Sequence, residues 1–509
     1  MNMENDAKET GSEQGQTSSV AKNVRDRIKS LMTNDEAIDT EASIARGIQL
    51  REQLPLECHA SWEAPENRPD PVDLLRSQGK SRVQALLPLR YERMSASPFT
   101  FYRGAALIMA SDLSNTPTTG IKAQICGDAH ISNFGLFLSP ERRTVFDIND
   151  FDETLPGPWE WDLKRLVASV EICGRDNDFS KKERKAAVRA CAAAYREAMQ
   201  EFATMGNLDV WYAHMDIDSL LQFINTEADS ATAKVANKTV EKSKGKNSAR
   251  AVRKLTEMVD GKPRIISDPP LVVPMRDIEA ELQKSSSGGK LVTLLGNTDV
   301  EALMSSILIQ YRRTLPSERR KLVSSYTAVD MAHKVVGVGS VGTLAFIIML
   351  RGANEDDHLI LQVKEAQASV LERFLGTDTR FNHGKRVVEG QRAMQTVSDS
   401  LLGWCTMPES KGVSFKDYYV RQLWDGKGSI DLSQLSPTML TRVAEACGWT
   451  LAHAHARTGN RFAIASYLGE TDEFDRAMVK FARSYADQNE ADYARFMQAL
   501  EMGELSVQQ

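Results

Sequence analysis

The sequence predicts an α+β fold of two lobes with a large helical share. Three observations carry this expectation. Two β-rich stretches, 121–148 and one beginning near 335, stand far apart in the chain. Segments with helical spacing of apolar residues lie between and after them. Capping residues, prolines and glycines sit at the edges of those segments.

In the first β-rich stretch, IKAQI (121–125), FGLFL (134–138) and TVFDI (144–148) read as strands. The last two flank Ser139-Pro140-Glu141-Arg142, with proline at a favoured turn position, and predict a hairpin. Trp161, Leu163, Leu166, Val167 and Val170 then carry helical spacing. Ser180 with Glu183 predicts a capping box opening an Ala-rich helix to about 204. In the second stretch, KVVGVGSVGTLAFIIMLRG and LILQVKEA read as strands, 383–399 as a helix, and LLGWCTM and DYYVRQLWD as strands. Ser436-Pro437 predicts a helix start and Gly459 its stop. Residues 472–500 are amphipathic.

The layout expected from this pattern has four parts. Residues 1–35 are polar, poor in aromatics and predicted disordered. Residues 36–330 form a helical lobe, with a mobile basic insertion at about 226–262. Residues 331–435 form the second lobe, and 436–509 are helices returning to the first.

Composition narrows the function classes. Of 509 residues, 42% are hydrophobic and 26% charged, an ordinary globular balance, and the net charge of −6 gives no general attraction to nucleic acid. The six cysteines are scattered without a CxxC pair, which favours reduced thiols in the cytoplasm over a disulfide or zinc framework. The N-terminus has no secretory pattern. No window of ~18 uninterrupted apolar residues predicts a membrane span. His453 and His455, at i and i+2 on a predicted helix, point to opposite sides and are expected to pack rather than share a metal.

The densest chemistry lies in Cys126-Gly127-Asp128-Ala129-His130-Ile131-Ser132-Asn133, followed by the acidic cluster Asp147, Asn149, Asp150, Asp152 and Glu153. Phosphoryl transfer uses such a set: one carboxylate orients the acceptor hydroxyl and takes its proton, while an amide oxygen and a second carboxylate hold Mg²⁺ on the phosphates. GDAHISN resembles the GDxHxxN catalytic loop of the aminoglycoside and choline-type phosphotransferases, which share the protein-kinase fold. INDFDE resembles their metal-binding strand end, and PWEWDLKRL the helix start that follows. The resemblance implies Asp128 as the catalytic carboxylate, Asn133 as a metal ligand and Asp162 as a brace of the loop. Aligning the apolar strand residues favours Asp150 as the metal carboxylate, whereas residue counting favours Asp147. Cys126 stands where that family carries histidine.

The nucleotide-binding parts are expected two hundred residues later. Gly337, Gly339 and Gly342 form GxGxxG around Ser340 between apolar β-branched runs. Lys364 ends LILQVK as the lysine ends the kinase VAIK strand, and Glu389 lies on the next helix, where the kinase ion-pair glutamate stands. A dinucleotide fold is the rival for GxGxxG, but it requires a helix after the third glycine. The apolar run after Gly342 is short and ends in Gly352, as a hairpin strand does. The implied fold is protein-kinase-like in circularly permuted order, with ATP and Mg²⁺ as cofactors and an unidentified small molecule or protein as acceptor.

SPFTFYRGAA, CGDAHISNFG, FDINDFDETLPGPWEWDLKRL, RVVEGQR and YADQNEADYARF together resemble the bacterial domain-of-unknown-function family numbered 2252. That resemblance places Arg103, Glu389, Gln391, Arg392 and Arg421 in family motifs within possible reach of the site. The sequence-level expectation is an ATP/Mg²⁺-dependent phosphotransferase. Its alternatives are an AMP transferase, a non-catalytic nucleotide-binding regulator and an NAD-type oxidoreductase.

Overall fold

A computed structural model of the chain describes residues 38–215, 217, 237–238, 240–241, 245, 248–269, 271–277, 300–335, 341–376, 382–408, 415–423, 426 and 428–507. The expectation for residues 1–35 lies outside them, as do Gly337, Gly339 and Ser340.

The first α-helices among the described residues are α1 (Thr40–Gln53), α2 (Pro71–Gly79), α3 (Leu87–Met94), α4 (Pro98–Gly104) and α5 (Ala106–Leu113). Strands β1 (Lys122–Ile125), β2 (Phe134–Leu138), β3 (Thr144–Ile148) and β4 (Leu155–Pro158) follow. β2 and β3 form the expected antiparallel hairpin, with Gly135 opposite Asp147, and β1 pairs antiparallel with β4. Next come α6 (Trp159–Asp176), α7 (Lys181–Thr204) and the short α8 (Asn207–Tyr212). The Ser180–Glu183 capping box opens α7 with both reciprocal hydrogen bonds present.

Then follow α9 (Ser248–Leu255), β5 (Thr256–Val259), β6 (Lys262–Ile265), β7 (Val272–Pro274), α10 (Val300–Thr314), α11 (Ser317–Ser324), β8 (Thr327–Lys334), β9 (Ala345–Arg351) and β10 (His358–Ala366). The chain continues through α12 (Glu372–Leu375), α13 (His383–Met394), β11 (Gly403–Pro408), β12 (Phe415–Gln422) and β13 (Gly428–Ser429). It ends with α14 (Pro437–Thr458), α15 (Arg461–Leu468) and α16 (Glu473–Glu501). Among the described residues no helix is long and apolar enough to cross a membrane.

The architecture is α+β. A six-stranded antiparallel sheet runs in the order β11-β12-β10-β9-β8-β7. β9 reads as a continuous apolar run because both of its faces are covered. On one face Phe346, Ile348 and Leu350 pack with Ile307, Leu308 and Tyr311 of α10; on the other Ile347 and Met349 pack with Ala251 and Leu255 of α9. The helical body has its own core, in which small residues on α7 (Ala187, Cys191, Ala192) and α14 (Ala444, Cys447, Ala454) let the two helices lie close. α13 joins the two, since Val387, Val388 and Met394 belong to the helical core while the helix also packs on β11 and β12.

Two expected boundaries are corrected. The limit at 330/331 falls inside β8, and the sheet also takes in β7. The sequence of β8, TAVDMAHK, mixes polar and apolar residues and so carries a weak strand signal. Within the insertion expected at 226–262, residues 226–236 lie outside the described residues. Residues 248–262 are a packed helix and the start of a hairpin, not a mobile segment. Ala251 and Leu255, buried on the sheet, hold them there.

Candidate active site between the helical body and the sheet

The loop from Cys126 to Asn133 is held mainly by backbone hydrogen bonds. Gly127 has φ +77°, where an L side chain is strained, and an added Cβ would lie 2.6 Å from the Glu153 carbonyl oxygen. The peptide N–H groups of Cys126 and Gly127 both donate to the Asp162 carboxylate, at 2.7 and 2.9 Å. Asp162 sits in the first turn of α6, and His455 Nε2 of α14 lies 3.4 Å from it. His455 also meets the Tyr195 hydroxyl, and His453 meets the Val210 carbonyl, so each histidine packs with separate partners.

Asp128 follows the braced glycine. Arg165, one turn after Asp162 on α6, donates Nε to the Asp128 carboxylate at 2.6 Å and Nη2 to the Tyr102 carbonyl at 3.0 Å. Burial raises the Asp128 carboxyl above the usual range, and Arg165 opposes that rise. Asn133 donates its amide to the Asp128 carbonyl at 2.6 Å, which turns its amide oxygen away from that carbonyl. The Asn149 N–H donates to the Asn133 carbonyl at 2.7 Å and sets the turn that carries Asp150.

The two metal candidates separate by geometry. Asp147, on β3, is 2% exposed and accepts from the N–H groups of Thr396 and Ile148, each at 2.8 Å. It is a structural anchor for the chain after α13, and burial raises its carboxyl to about 6. It is therefore corrected from the metal assignment. Asp150 is partly exposed and lines a small cavity with Asp128, Asp152, Arg82, Arg90 and Arg103. The only hydrogen bond to its carboxylate among the described residues comes from the Asp152 N–H at 3.3 Å. Asn133 does not line that cavity; its amide is bonded to the Asp128 carbonyl.

Lys364 enters from the sheet. It is 3% exposed, and its ammonium donates to the Asp152 carboxylate, which also accepts from the Tyr419 hydroxyl at 2.8 Å. The lysine side chain holds Asp152 at about 2, and the carboxylates of Asp150 and Asp152 hold the Lys364 ammonium above its ordinary value. Tyr419 stands opposite Lys364 in the β10–β12 ladder, which puts both side chains on one face. Arg421, two residues on, bonds Gln362 on that same face.

The expected Lys364–Glu389 pair is not present. Val387, Val388, Gln391 and Met394 occupy the buried face of α13, which turns Glu389 outward. Its side chain is 55% exposed and lies 3.5 Å from Lys385. Gln391 is buried against Gln395, and Arg392 donates to the Leu402 carbonyl, so neither reaches Asp128. Arg386 is the α13 residue that meets the acidic turn, donating to the carbonyls of Asp152 and Thr154.

The described end of the glycine segment adjoins this site. Gly342 has φ +91°, and an added Cβ would meet the Arg82 side chain at 3.0 Å. Arg82 donates to the Val341 carbonyl at 2.7 Å, and the Val83 N–H to the Gly342 carbonyl at 2.7 Å. The segment after Gly342 enters β9, antiparallel to β8 and β10; no helix starts there. A larger cleft of about 720 Å³ opens beside it, lined by Arg82, Asp152, Thr343, Glu365 and Lys416 among others.

Arg165, Tyr419 and Arg82 carry the site without having been singled out in the sequence, where Asp152 stands only as one member of the acidic cluster. Asp152 and Arg165 lie inside the quoted motifs INDFDE and WDLKRL, so their position was available though their partners were not. Among the described residues no three His, Cys, Asp or Glu side chains converge as a metal cluster. Mg²⁺, however, is typically held by one or two protein ligands together with phosphates and water. Asp150 fits that pattern, and Asn133 adjoins it through the Asn149 N–H on its carbonyl.

No curated protein and no solved structure matches the chain. A family model does match, over residues 82–499, and it spans every residue of the site just described. The chain belongs to that family, which is described as an uncharacterized protein conserved in bacteria, domain of unknown function 2252.

Proposed function

We propose that the protein is an ATP- and Mg²⁺-dependent phosphotransferase with a protein-kinase-like fold in circularly permuted order. One observation carries the reading: Lys364 meets Asp152 across 212 residues of chain, in a site that also holds Asp128 and Asp150. In protein kinases the glycine-rich loop precedes a lysine on the third strand, and an Asp–Asn pair with a second Asp completes the site. Here the segment ending at Gly342 joins antiparallel β8 and β9, and Lys364 lies on the next strand.

In this reading Asp128 orients the acceptor hydroxyl and takes its proton. Arg165 fixes the rotamer of Asp128 and opposes the rise that burial imposes on its carboxyl. Lys364 holds the phosphates, and Asp150 with Asn133 would hold Mg²⁺. The metal supplies charge neutralisation on the phosphates when bound. Asp162 acts through the loop backbone and is a positioning residue.

Incubation with Mg²⁺ and ATP labelled at the γ or the α phosphorus tests the proposal. Transfer or release of the γ label alone is the expected result. Transfer of the α label would identify an AMP transferase. A rise in melting temperature with ATP·Mg²⁺ and no turnover would identify a binding-only regulator. A rise with NAD and none with ATP would overturn the reading.

A further inference from the structure

Three arginines enter the site from the short helices and turns ahead of the catalytic loop. Arg82 is 7% and Arg90 2% exposed. Arg103 stands on α4 and is partly buried. Among the described residues none of the three has a carboxylate within ion-pair distance, and the Nε of each is buried without a hydrogen-bond partner. Arg82 donates to the Val341 carbonyl, and Arg90 to Gln78 and to the Gly104 carbonyl. Arg103 makes no hydrogen bond among the described residues.

Buried guanidinium groups need a counter-charge. Of the carboxylates of the same cavity, Asp128 is engaged by Arg165, Asp152 by Lys364 and Tyr419, and Glu153 by the Val370 N–H, which leaves Asp150 with the Asp152 N–H alone among the described residues. Desolvation accordingly lowers the pKa of all three arginines. The cavity they share with Asp128, Asp150 and Asp152 measures about 30 Å³. That admits one small group and not a whole ligand.

The arginines divide by position. Arg82 is tied to the glycine segment through the Val341 carbonyl. Arg90 is tied instead to the Gly104 carbonyl at the end of α4, next to Arg103.

We propose that Arg103 and Arg90 form an anion site beside Asp128, distinct from the nucleotide's, that takes a phosphate group of the acceptor. This rests on the reading of Asp128 as the carboxylate facing the acceptor. Guanidinium groups with free N–H donors match the geometry of a phosphate monoester. The acceptor class is thus a small hydroxylated molecule that already carries a phosphate.

The test uses the full chain, with inorganic phosphate as the probe and melting temperature and calorimetry as readouts. Phosphate is expected to stabilise the wild type, and to do so equally when ADP·Mg²⁺ is saturating. Arg103→Gln is expected to weaken phosphate binding about tenfold or more, as loss of a charge-assisted hydrogen bond does, and to keep the ADP·Mg²⁺ shift. Arg103→Lys, which keeps the charge, should fall between the two. Phosphate binding that disappears at saturating ADP·Mg²⁺ would assign the arginines to the nucleotide and overturn the proposal. Unchanged phosphate binding in Arg103→Gln, or no phosphate binding in the wild type, would also overturn it. A phosphate shift lost in Arg103→Gln, with no ADP·Mg²⁺ shift in any variant, would uphold the anion site and reject the nucleotide reading.

Discussion

Lys364 on β10 and Asp152 in the turn after β3 form an ion pair that joins the sheet to the helical body. The lysine side chain is buried and the aspartate half-buried, and the Tyr419 hydroxyl also donates to the carboxylate.

Breaking this pair from one side leaves a buried charge, a loss of ~3–5 kcal/mol in comparable pairs. Lys364→Met should therefore lower the unfolding free energy by about that amount, and adding Asp152→Asn should restore much of it. The four proteins of the cycle, unfolded in denaturant, give the coupling directly; strictly additive single effects would remove the pair as a stabilising unit. Asp152 is depressed to about 2, so its contribution is present above the unfolded carboxylate value. It is lost as pH falls from ~4. The gap between wild type and Lys364→Met should therefore close in acid.

The aspartates of the strand end should separate stability from turnover. Asp147→Ala leaves the N–H groups of Thr396 and Ile148 without an acceptor and should cost ~1–3 kcal/mol. The Asp147 carboxyl is raised to about 6, so its favourable contribution is complete below the unfolded value and fades as pH rises through about 6. The deficit of Asp147→Ala should then widen between pH ~7 and ~4. Asp150→Asn should stay within ~0.5 kcal/mol of wild type and lose Mg²⁺-dependent turnover. Full Mg²⁺-dependent turnover in Asp150→Asn would return the metal role to another residue.

Turnover should depend on pH through Asp128. Burial raises this carboxyl, and the proposed reaction requires it ionised, so the rate should fall in acid at a pH above the ordinary carboxylate range. Arg165 opposes the rise, so Arg165→Gln should move that acid limb upward. A pH–rate profile of each protein measures the shift; an unmoved limb would detach Arg165 from this role.

Gly127→Ala should damage loop and fold together. The position has positive φ, and the new Cβ would meet the Glu153 carbonyl. Forcing both should cost ~1–3 kcal/mol. Melting temperature and turnover should both drop, whereas Gly120→Ala, at positive φ but in open space, should affect only stability.

Much of this was legible because local chemistry and tertiary position agreed. The β2–β3 hairpin announced itself by apolar strands around a proline turn, and Ser180 and Ser436 cap helices as their neighbours indicate. What escaped was set by facing and distance. Glu389 has the right residue type on the right helix, yet one face of α13 is filled by Val387, Val388 and Met394, and the glutamate turns out. Arg82, Arg90 and Arg103 come singly from separate turns and helices, so no local pattern marks them as a group. β8 carries Asp330 and His333 among its apolar residues and gives no clean alternation.

The double hold of Asp162 on Cys126 and Gly127 has a consequence for how ligands arrive. That loop has its working shape in advance, so association carries little ordering entropy there. In the proposed reaction Lys364 would exchange Asp152 for an incoming phosphate, which concentrates rearrangement at that ion pair. The cleft thus pairs a fixed template with a latch, and the lifetime of any complex should be governed by the latch.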